Sequence, residues 1–514
     1  MSGIPKTLPP MPPEAPPDPT LSPEARADIQ GFITSGYKHL PESAFYFLHF
    51  GDAAGARDWL GLALADVTFA GSWRRAPGQA KERPEVAVNV AISKTGLEAL
   101  GLPRDCLDTF PSEFLEGAGS NSRSDLQLGD TGTSAPETWQ IGGPGTPSVD
   151  AVLILHAKTA ESLERLRSLW EERIGSCHGT GVLARELGSR PADSKEHFGF
   201  RDGISQPQIK GVQRGGSGLN TGEFILGYVN EYGYHTVNPL VSAADDPDGL
   251  LPDSANPIHA GRRDFGMNGT FVVYRKLAQH VATFWRFMEA ESIRRLGVAD
   301  PMFMVRLASK IVGRWPSGAP LTIAPESDNP TLSNANDFTF AKADPVGRGC
   351  PFGSHIRRTG PRDMIRPAGP SESLRMNARH QILRRGKPYG PPLFDLRVLD
   401  RIDDLQGLRA ILGLCDDGKD RGLHFFCINA SIRSQFEFMQ QVWANNPRFN
   451  GLSGSRDPLI GDNGHPDDPS ALHIPGNNHD WRTAPLPRFV TVRGGAYLFM
   501  PGKRAMTFLA RRRA

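Results

Sequence analysis

The sequence has no long apolar segment and almost no net charge. None of its hydrophobic runs approaches the roughly 18 residues that a membrane-spanning helix needs. The 58 Lys and Arg residues against 56 Asp and Glu leave a formal charge of +2 over 514 residues. A chain this close to neutral has no overall attraction to nucleic acid or to an acidic membrane surface. We therefore expect neither a membrane span nor a nucleic-acid partner.

Cysteine is scarce, with five residues and no Cys-x-x-Cys pair. This argues against zinc ribbons and thioredoxin-like redox motifs. The dipeptide Cys177-His178 lacks the upstream cysteine of a covalent haem tether. An odd, irregularly spaced set of thiols is typical of a reducing compartment. Because the amino terminus also has no apolar signal segment, we expect a cytoplasmic protein.

The amino terminus differs in composition from the rest of the chain. Residues 1–20 contain eight prolines and cannot build a core. We predict a disordered arm over residues 1–24, with a docking arm as the alternative. The remaining length suits more than one domain.

Hydrophobic periodicity places helices after strands in both halves of the chain. The predicted strands are Ser43–Phe50, Glu85–Ile92, Val149–His156, Gly269–Tyr274, Gly422–Ala430 and a closing hairpin of Phe489–Val492 with Ala496–Met500. The predicted helices are Asp52–Leu64, Thr95–Leu100, Thr159–Ile174, Leu277–Met288 and Ile432–Trp443. This order is typical of an α+β fold with helices on one face of an antiparallel sheet.

Three local clusters hold side chains suited to chemistry. The first, Phe198–Pro207, places Asp202 between an arginine and a glycine; taken alone it is a turn. The second, Gly349–Arg362, sets His355 among three arginines. A neutral imidazole can be an axial ligand of haem iron, and guanidinium groups bind carboxylates such as haem propionates in pairs of bonds. The alternative is a loop histidine with solvated arginines.

The third cluster, Arg379–Gly390, places Arg384 at the end of a short apolar stretch before a turn. Such an arginine can point into a pocket or belong to a solvated run of charges. Together, the three clusters resemble the motifs of the dye-decolorizing peroxidase family. Its GxxDG pattern is met at residues 199–203, its histidine motif at 350–362 and its distal arginine motif at 383–390, in the family's order.

The resemblance extends from about Ser43 to about Leu509 and spares the proline-rich arm. It implies two ferredoxin-like domains with antiparallel sheets and helices packed on them. We expect an N-terminal domain over 25–225 that carries the GxxDG motif, and a C-terminal domain over 226–514 that binds haem b. Long polar stretches at 243–265, 324–345 and 455–487 suggest a larger, loop-rich subclass.

The resemblance also implies roles for single side chains. His355 matches the proximal iron ligand, Asp202 the distal acid and base, and Arg384 the distal arginine. Arg358 matches an arginine that meets a haem propionate. The side chains expected to contact haem through apolar surface are Ile204, Leu423 and Phe425.

These roles predict a haem peroxidase that reduces hydrogen peroxide and oxidises bulky phenolic or dye-like donors in one-electron steps. Because an unperturbed Asp titrates at about 3.9, a distal Asp predicts best activity at acidic pH. Tyr389 and Trp443 are candidates to relay electrons from large donors, with packing as the alternative role. We expect a monomer or a homodimer. The alternative function is haem handling with incidental peroxidase activity, which would need neither Asp202 nor Arg384.

One position departs from the family pattern. Many members have an acidic residue in the stretch that here reads Asn429-Ala430-Ser431-Ile432. A carboxylate at that place can orient the proximal histidine, and Ser431 cannot replace its charge. We therefore expect either a weaker electron push from His355 or a different acceptor for its ring N–H.

Overall fold

The computed structural model describes residues 21–73, 83–120, 123–212, 218–476 and 478–512. The predicted proline-rich arm lies outside these ranges except for its last four residues. Of these, Ser22 accepts the N–H of Ala25 and caps the first helix. Within the same ranges, no helix is both long enough and apolar enough to cross a membrane.

The described ranges contain strands throughout and helices mainly between them. The strands are β1 (Glu42–Phe50), β2 (Val86–Ile92), β3 (Ala151–Ala157), β4 (Thr180–Ser189), β5 (Leu240–Ser242), β6 (Arg262–Asp264), β7 (Thr270–Gln279), β8 (Leu383–Arg384), β9 (Lys387–Tyr389), β10 (Gly422–Asn429), β11 (His473–Ile474), β12 (Trp481–Arg482) and β13 (Val490–Met500). The helices are α1 (Pro23–Asp28), α2 (Gly31–Thr34), α3 (Ala53–Asp66), α4 (Lys94–Ala99), α5 (Arg104–Leu107), α6 (Ser112–Glu116), α7 (Ala160–Ser176), α8 (Val281–Leu296), α9 (Pro301–Val312), α10 (Phe340–Ala343), α11 (His355–Thr359), α12 (Pro370–Ala378), α13 (Leu405–Leu408) and α14 (Lys503–Arg511). Three further segments form π-helical turns, at Ser124–Leu128, Arg433–Glu437 and Met439–Ala444.

The largest sheet joins nine antiparallel strands in the order β4-β1-β3-β2-β13-β7-β10-β8, with β9 also paired to β10. Each half of the chain contributes four neighbouring strands to this order, and β9 is an additional strand of the second half. In the first half, β1, α3, β2, β3, α7 and β4 follow one another along the chain. In the second half, β7, α8, β8, β10, π-helical turns and β13 do the same. Both halves have the spatial strand order 4-1-3-2 of a ferredoxin-like unit, which confirms the predicted fold class.

The two ferredoxin-like units contribute side chains to a common hydrophobic cluster. Their sheets join where Ile92 of β2 pairs with Phe499 of β13. The ring of Phe47 lies 4.8 Å from that of Tyr274, and the ring of Phe45 lies 4.9 Å from that of Phe426. Strand β1 is therefore buried on both faces, which explains its almost continuous apolar sequence.

The end of the chain differs from the predicted hairpin. Val490–Met500 is one strand, β13, which pairs with β7 along its whole length and has a bulge between Val492 and Gly494. Glycines mark bulges and close approaches as well as turns. Here a Cβ on Gly495 would lie 2.8 Å from the indole of Trp139. The glycine pair therefore reflects close packing against a loop of the first half.

The helix predicted over Leu277–Met288 begins later than expected. Strand β7 continues to Gln279, and α8 starts at Val281. Leu277 therefore belongs to the strand, and its side chain lines the main cavity. An apolar residue at a strand end fits the helical spacing of its neighbours by coincidence, so periodicity alone could not locate this boundary.

Candidate active site

A cavity of about 690 Å³ opens beside the second ferredoxin-like unit. Strand β10 contributes Leu423 and Phe425, which alternate with the buried His424 and so face the same side. Ile204 adds a third apolar side chain from the loop after Asp202. The volume and the apolar wall are typical of a site for a sizeable organic ligand.

His355 lines this cavity from the first position of α11. Its Nδ1 lies 3.0 Å from Oδ2 of Asp457, whose side chain is fully buried. The N–H groups of Leu459 and Ile460 donate to Asp457 Oδ1 at 2.9 and 3.0 Å. Burial raises the pKa of the Asp457 carboxyl, but His355 and the backbone donors bring it below its ordinary value. An ionised Asp457 keeps the proton on Nδ1 and leaves Nε2 unprotonated, so that Nε2 could coordinate a metal.

Asp457 is the acceptor that sequence analysis did not identify. Ser431 does not serve His355; its hydroxyl bonds to Ser434 within the local turn. Asp457 lies 102 positions from His355, inside a polar stretch that carried no motif. Ser431 replaces the acidic residue of the family pattern, and Asp457 from another loop provides the carboxylate that contacts His355.

Asp202 and Arg384 form an ion pair on the cavity wall. Nη1 of Arg384 donates to Oδ1 of Asp202 at 2.7 Å, and the N–H of Gly203 donates to the same oxygen at 2.6 Å. Burial raises the pKa of Asp202, but Arg384, Gly203 and the more distant His355 bring it below its ordinary value. The cavity therefore contains an ionised carboxylate.

The backbone around this pair is held on both sides. Strand β8 pairs Arg384 with Cys427 of β10, which fixes the direction of the arginine. The N–H of Arg384 donates to Oε1 of Gln206 at 3.0 Å, and Nη2 donates to the carbonyl of Ser205 at 3.1 Å. The loop that carries Asp202 is thus tied directly to the strand that carries Arg384.

Glu196 is a second carboxyl in the cavity that sequence analysis did not single out. It accepts the N–H groups of Phe198 and Phe200, both at 2.9 Å, and Nε2 of Gln279 at 2.5 Å. Burial raises its pKa to about 7, with a contribution from Asp202. Its position six residues before Asp202 was visible, but nothing local showed that its carboxylate would turn inward.

Arg358 does not line the cavity in which its propionate contact is predicted. Its side chain is fully buried. Nη1 donates to the carbonyls of Trp443 and Asn446 at 2.5 and 3.2 Å, and Nη2 donates to that of Ser455. The guanidinium of Arg358 thus donates to backbone carbonyls and stabilises the loop next to Asp457.

Arg314 and Arg362 are among the arginines that line the cavity. Nη2 of Arg314 and Nη2 of Arg362 both donate to Oδ1 of Asn336, at 3.2 and 2.7 Å. Burial, and then the neighbouring Arg362, lowers the pKa of Arg314 to about 10. Two close cations that share a neutral acceptor are suited to binding carboxylate groups. The histidine motif includes Arg362 without assigning it a role, and no sequence pattern singles out Arg314.

The proposed electron-relay residues do not line the cavity. Tyr389 is buried, and its hydroxyl lies 3.4 Å from Asp420. Trp443 is buried against the rings of Phe438 and His380, at 5.5 and 5.4 Å. Burial of both rings favours the alternative that they are packing residues.

The residues present suit haem better than a protein-ligated metal. In the part of the chain that the structure describes, no group of three or more His, Cys, Asp and Glu side chains could hold a metal ion. A single histidine with Nε2 available, an apolar wall and paired arginines match instead the iron, ring and carboxylates of haem.

Comparisons with known proteins agree with this site. No family model matches the chain. A dye-decolorizing peroxidase of Mycetinis scorodonius is 30% identical over 96% of this chain and 91% of its own length. A multifunctional dye peroxidase of Amycolatopsis is 31% identical over 88% of this chain and 89% of its own. The crystal structure of a decolorizing peroxidase from Auricularia auricula-judae superposes with a TM-score of 0.72 and 27% identity, covering 94% of this chain and 99% of that one. The chain therefore belongs to the dye-decolorizing peroxidase family and is a haem peroxidase.

Proposed function

We propose that this chain binds haem b, reduces hydrogen peroxide at it and oxidises bulky phenolic or dye-like donors in one-electron steps, with best activity at acidic pH. The observation that carries the proposal is that one cavity is lined both by His355, bound to Asp457, and by the Asp202–Arg384 ion pair. The alternative function, haem handling, would have no use for an ionised carboxylate paired with an arginine.

The cofactor would be held by residues of three kinds. His355 would hold the iron through Nε2. Arg314 and Arg362 are placed to bind the carboxylates. The apolar side chains proposed to contact the ring are Ile204, Leu423 and Phe425. When bound, haem supplies an iron that receives peroxide and stores oxidising equivalents.

Asp202 is proposed to move the proton that peroxide cleavage requires. Both hydrogen bonds that the structure assigns to this carboxylate end at Oδ1, so Oδ2 is the oxygen that can accept a proton. Oδ2 takes the proton from one peroxide oxygen and returns it to the other, which leaves as water. Arg384 stabilises the negative charge that develops on the leaving oxygen.

The proximal pair is proposed to set how strongly His355 donates electrons. Because Asp457 is ionised and accepts the Nδ1 hydrogen, it increases the electron density of the imidazole at Nε2. The leucine and isoleucine N–H groups that bind Asp457 keep this carboxylate in place.

The protonation state of Asp202 supports the proposal that the protein is active at acidic pH. Its pKa lies below the ordinary value because of Arg384 and Gly203. The carboxylate therefore remains available as a base at pH values where an unpaired Asp would be partly protonated. A pH–rate profile for a phenolic donor with its optimum well above neutrality would contradict this part of the proposal.

The central test is Asp202→Asn in haem-supplemented protein. We expect a wild-type Soret band, and a reaction with hydrogen peroxide slower by about 10² to 10⁴, because the amide cannot accept the proton. Asp193→Asn, an exposed carboxylate in the preceding loop, is the control and should react at the wild-type rate. A fast reaction of D202N would remove Asp202 from the mechanism, and a wild-type chain without a Soret band would overturn the haem site.

A further inference from the structure

Three basic residues near Asp202 act electrostatically on one another, and we name them the basic rim: Lys38, Arg190 and Arg201. Arg201 lines the cavity, whereas Lys38 is exposed. Nη1 of Arg190 donates to the carbonyl of Lys38 at 3.2 Å, and Nη2 donates to Oγ of Ser194 at 2.6 Å. The carbonyl of Ser194 in turn accepts the N–H of Asp202 at 2.9 Å. The rim therefore extends from the surface to the cavity wall.

Within the described ranges, no acidic side chain forms an ion pair with the rim. Among the described residues, none of its three members takes part in an ion pair. The neighbouring Lys195 differs, because its Nζ lies 2.7 Å from Asp400. Lys195 is thus paired with a carboxylate, whereas the three cations of the rim form no ion pair.

The members of the rim repel one another. Burial, and then Arg190 and Arg201, lowers the pKa of Lys38. Burial, and then Arg201, lowers the pKa of Arg190. Asp202 is the acidic residue that opposes both shifts by raising the pKa of Lys38 and of Arg190, and its carboxylate is already bound to Arg384. An additional anion at the rim would relieve this repulsion.

We propose that the basic rim binds the carboxylate of an anionic phenolic donor and holds its ring at the mouth of the cavity. This inference rests on the proposed peroxidase function and adds the charge of the preferred donor. Three clustered cations suit a small anion, whereas the chain's overall charge of +2 gives no extended field for an anionic polymer. Attraction to the rim lowers KM for the anionic donor and leaves the reaction with peroxide unchanged.

The test compares two donors that differ only in charge, 4-hydroxycinnamate and its methyl ester. Both are assayed at pH 6, where a carboxyl with a pKa of about 4.3 is ionised. We expect the wild type to have the lower KM for the acid. In the double variant Lys38→Met, Arg190→Gln, KM for the acid should rise about fivefold to tenfold, as expected for two charges lost at a surface, and KM for the ester should not change.

Control variants separate the rim from general effects of charge. Lys158→Met with Arg165→Gln removes two exposed cations elsewhere and should leave both KM values unchanged. Arg190→Lys keeps the charge and should retain most of the preference for the acid. Raising the salt concentration should increase KM for the acid in the wild type and have little effect in the double variant.

The possible outcomes separate a failure of the proposed donor binding at the rim from a failure of the proposed peroxidase function. If the double variant kept the wild-type ratio of the two KM values, the rim would not bind the donor. If it lost Soret absorbance and slowed with both donors equally, the rim would serve the cofactor, and the inference would again be wrong. If the wild type oxidised neither donor in the presence of peroxide, the proposed function itself would fail.

Discussion

The proximal hydrogen bond joins two residues 102 positions apart, His355 and Asp457. A carboxylate at Nδ1 strengthens imidazole as a donor and stabilises the oxidised iron relative to the reduced iron. The loss of this single charge should therefore change the electronic properties of the site without removing His355, the proposed iron ligand. The distal pair of Asp202 and Arg384 should be unaffected, because it belongs to other elements.

Replacement of Asp457 by Asn should raise the reduction potential of the haem-loaded protein. A neutral amide accepts the Nδ1 hydrogen less strongly than a carboxylate does, so the imidazole donates less electron density. We also expect the reaction with peroxide to slow by about tenfold. A spectroelectrochemical titration measures the potential. Asp480→Asn is the control, since Asp480 also accepts from a histidine, His473, but at the surface. Equal potentials in D457N and the wild type would show that Asp457 only positions the ring.

Helix α9 sets the location of α11 through the glycine that ends it. Gly313 follows α9 with φ +99°, and a Cβ there would lie 2.4 Å from Cγ1 of Ile356, the residue after His355. Gly297 ends α8 with φ +76°, and a Cβ there would meet nothing within 4 Å. Both glycines have a left-handed φ, and they differ in what a Cβ would contact.

This pair gives a matched prediction for the two elements. Gly297→Ala should lower the free energy of unfolding by about 1 kcal/mol, the cost of a left-handed residue with a Cβ. Gly313→Ala should lower it by about 3 kcal/mol, because overpacking adds to that strain. Denaturant unfolding measures both values. G313A should also alter the Soret band by displacing α11, and equal effects of the two substitutions would contradict the close contact with Ile356.

At the scale of the whole molecule, buried carboxyls make stability depend on pH. Burial raises the pKa of Glu223 to about 8, and its side chain is 4% exposed. Between the unfolded pKa near 4.5 and the folded pKa, the folded state holds more protons than the unfolded state. The free energy of unfolding should therefore fall as pH rises from about 4.5 to about 8. Glu196, with a pKa of about 7, acts in the same direction.

Glu223→Gln should remove a large part of this dependence, on the order of a few kcal/mol between pH 5 and pH 8. The amide has no proton to lose, so its contribution is the same at both pH values. Thermal unfolding across this range measures the effect, with Glu172→Gln on the exposed face of α7 as the control. A slope unchanged by E223Q would show that Glu223 is ionised in the folded protein.

Much of the architecture could be predicted because it depends on local patterns. The alternation and length of apolar runs located β1, β2, β3 and β10 within two residues of their ends. The predicted helix Thr159–Ile174 begins where the structure places a helix cap, because the hydroxyl of Thr159 accepts the N–H of Ser162. Strand β4 was missed because its glycines and charged side chains weaken the β pattern.

The sequence by itself determined the family, the fold class and the motifs that carry Asp202, His355 and Arg384, because spacing within a short segment specifies them. Tertiary structure alone decided that Asp457 accepts from His355 and that Arg358 binds backbone carbonyls. It also decided that Arg314 and Arg362 line the cavity in place of Arg358. The physical reason is that the role of a carboxylate or guanidinium depends on the group that packing brings within hydrogen-bonding distance of it. These partner groups come from parts of the chain that no local sequence pattern connects.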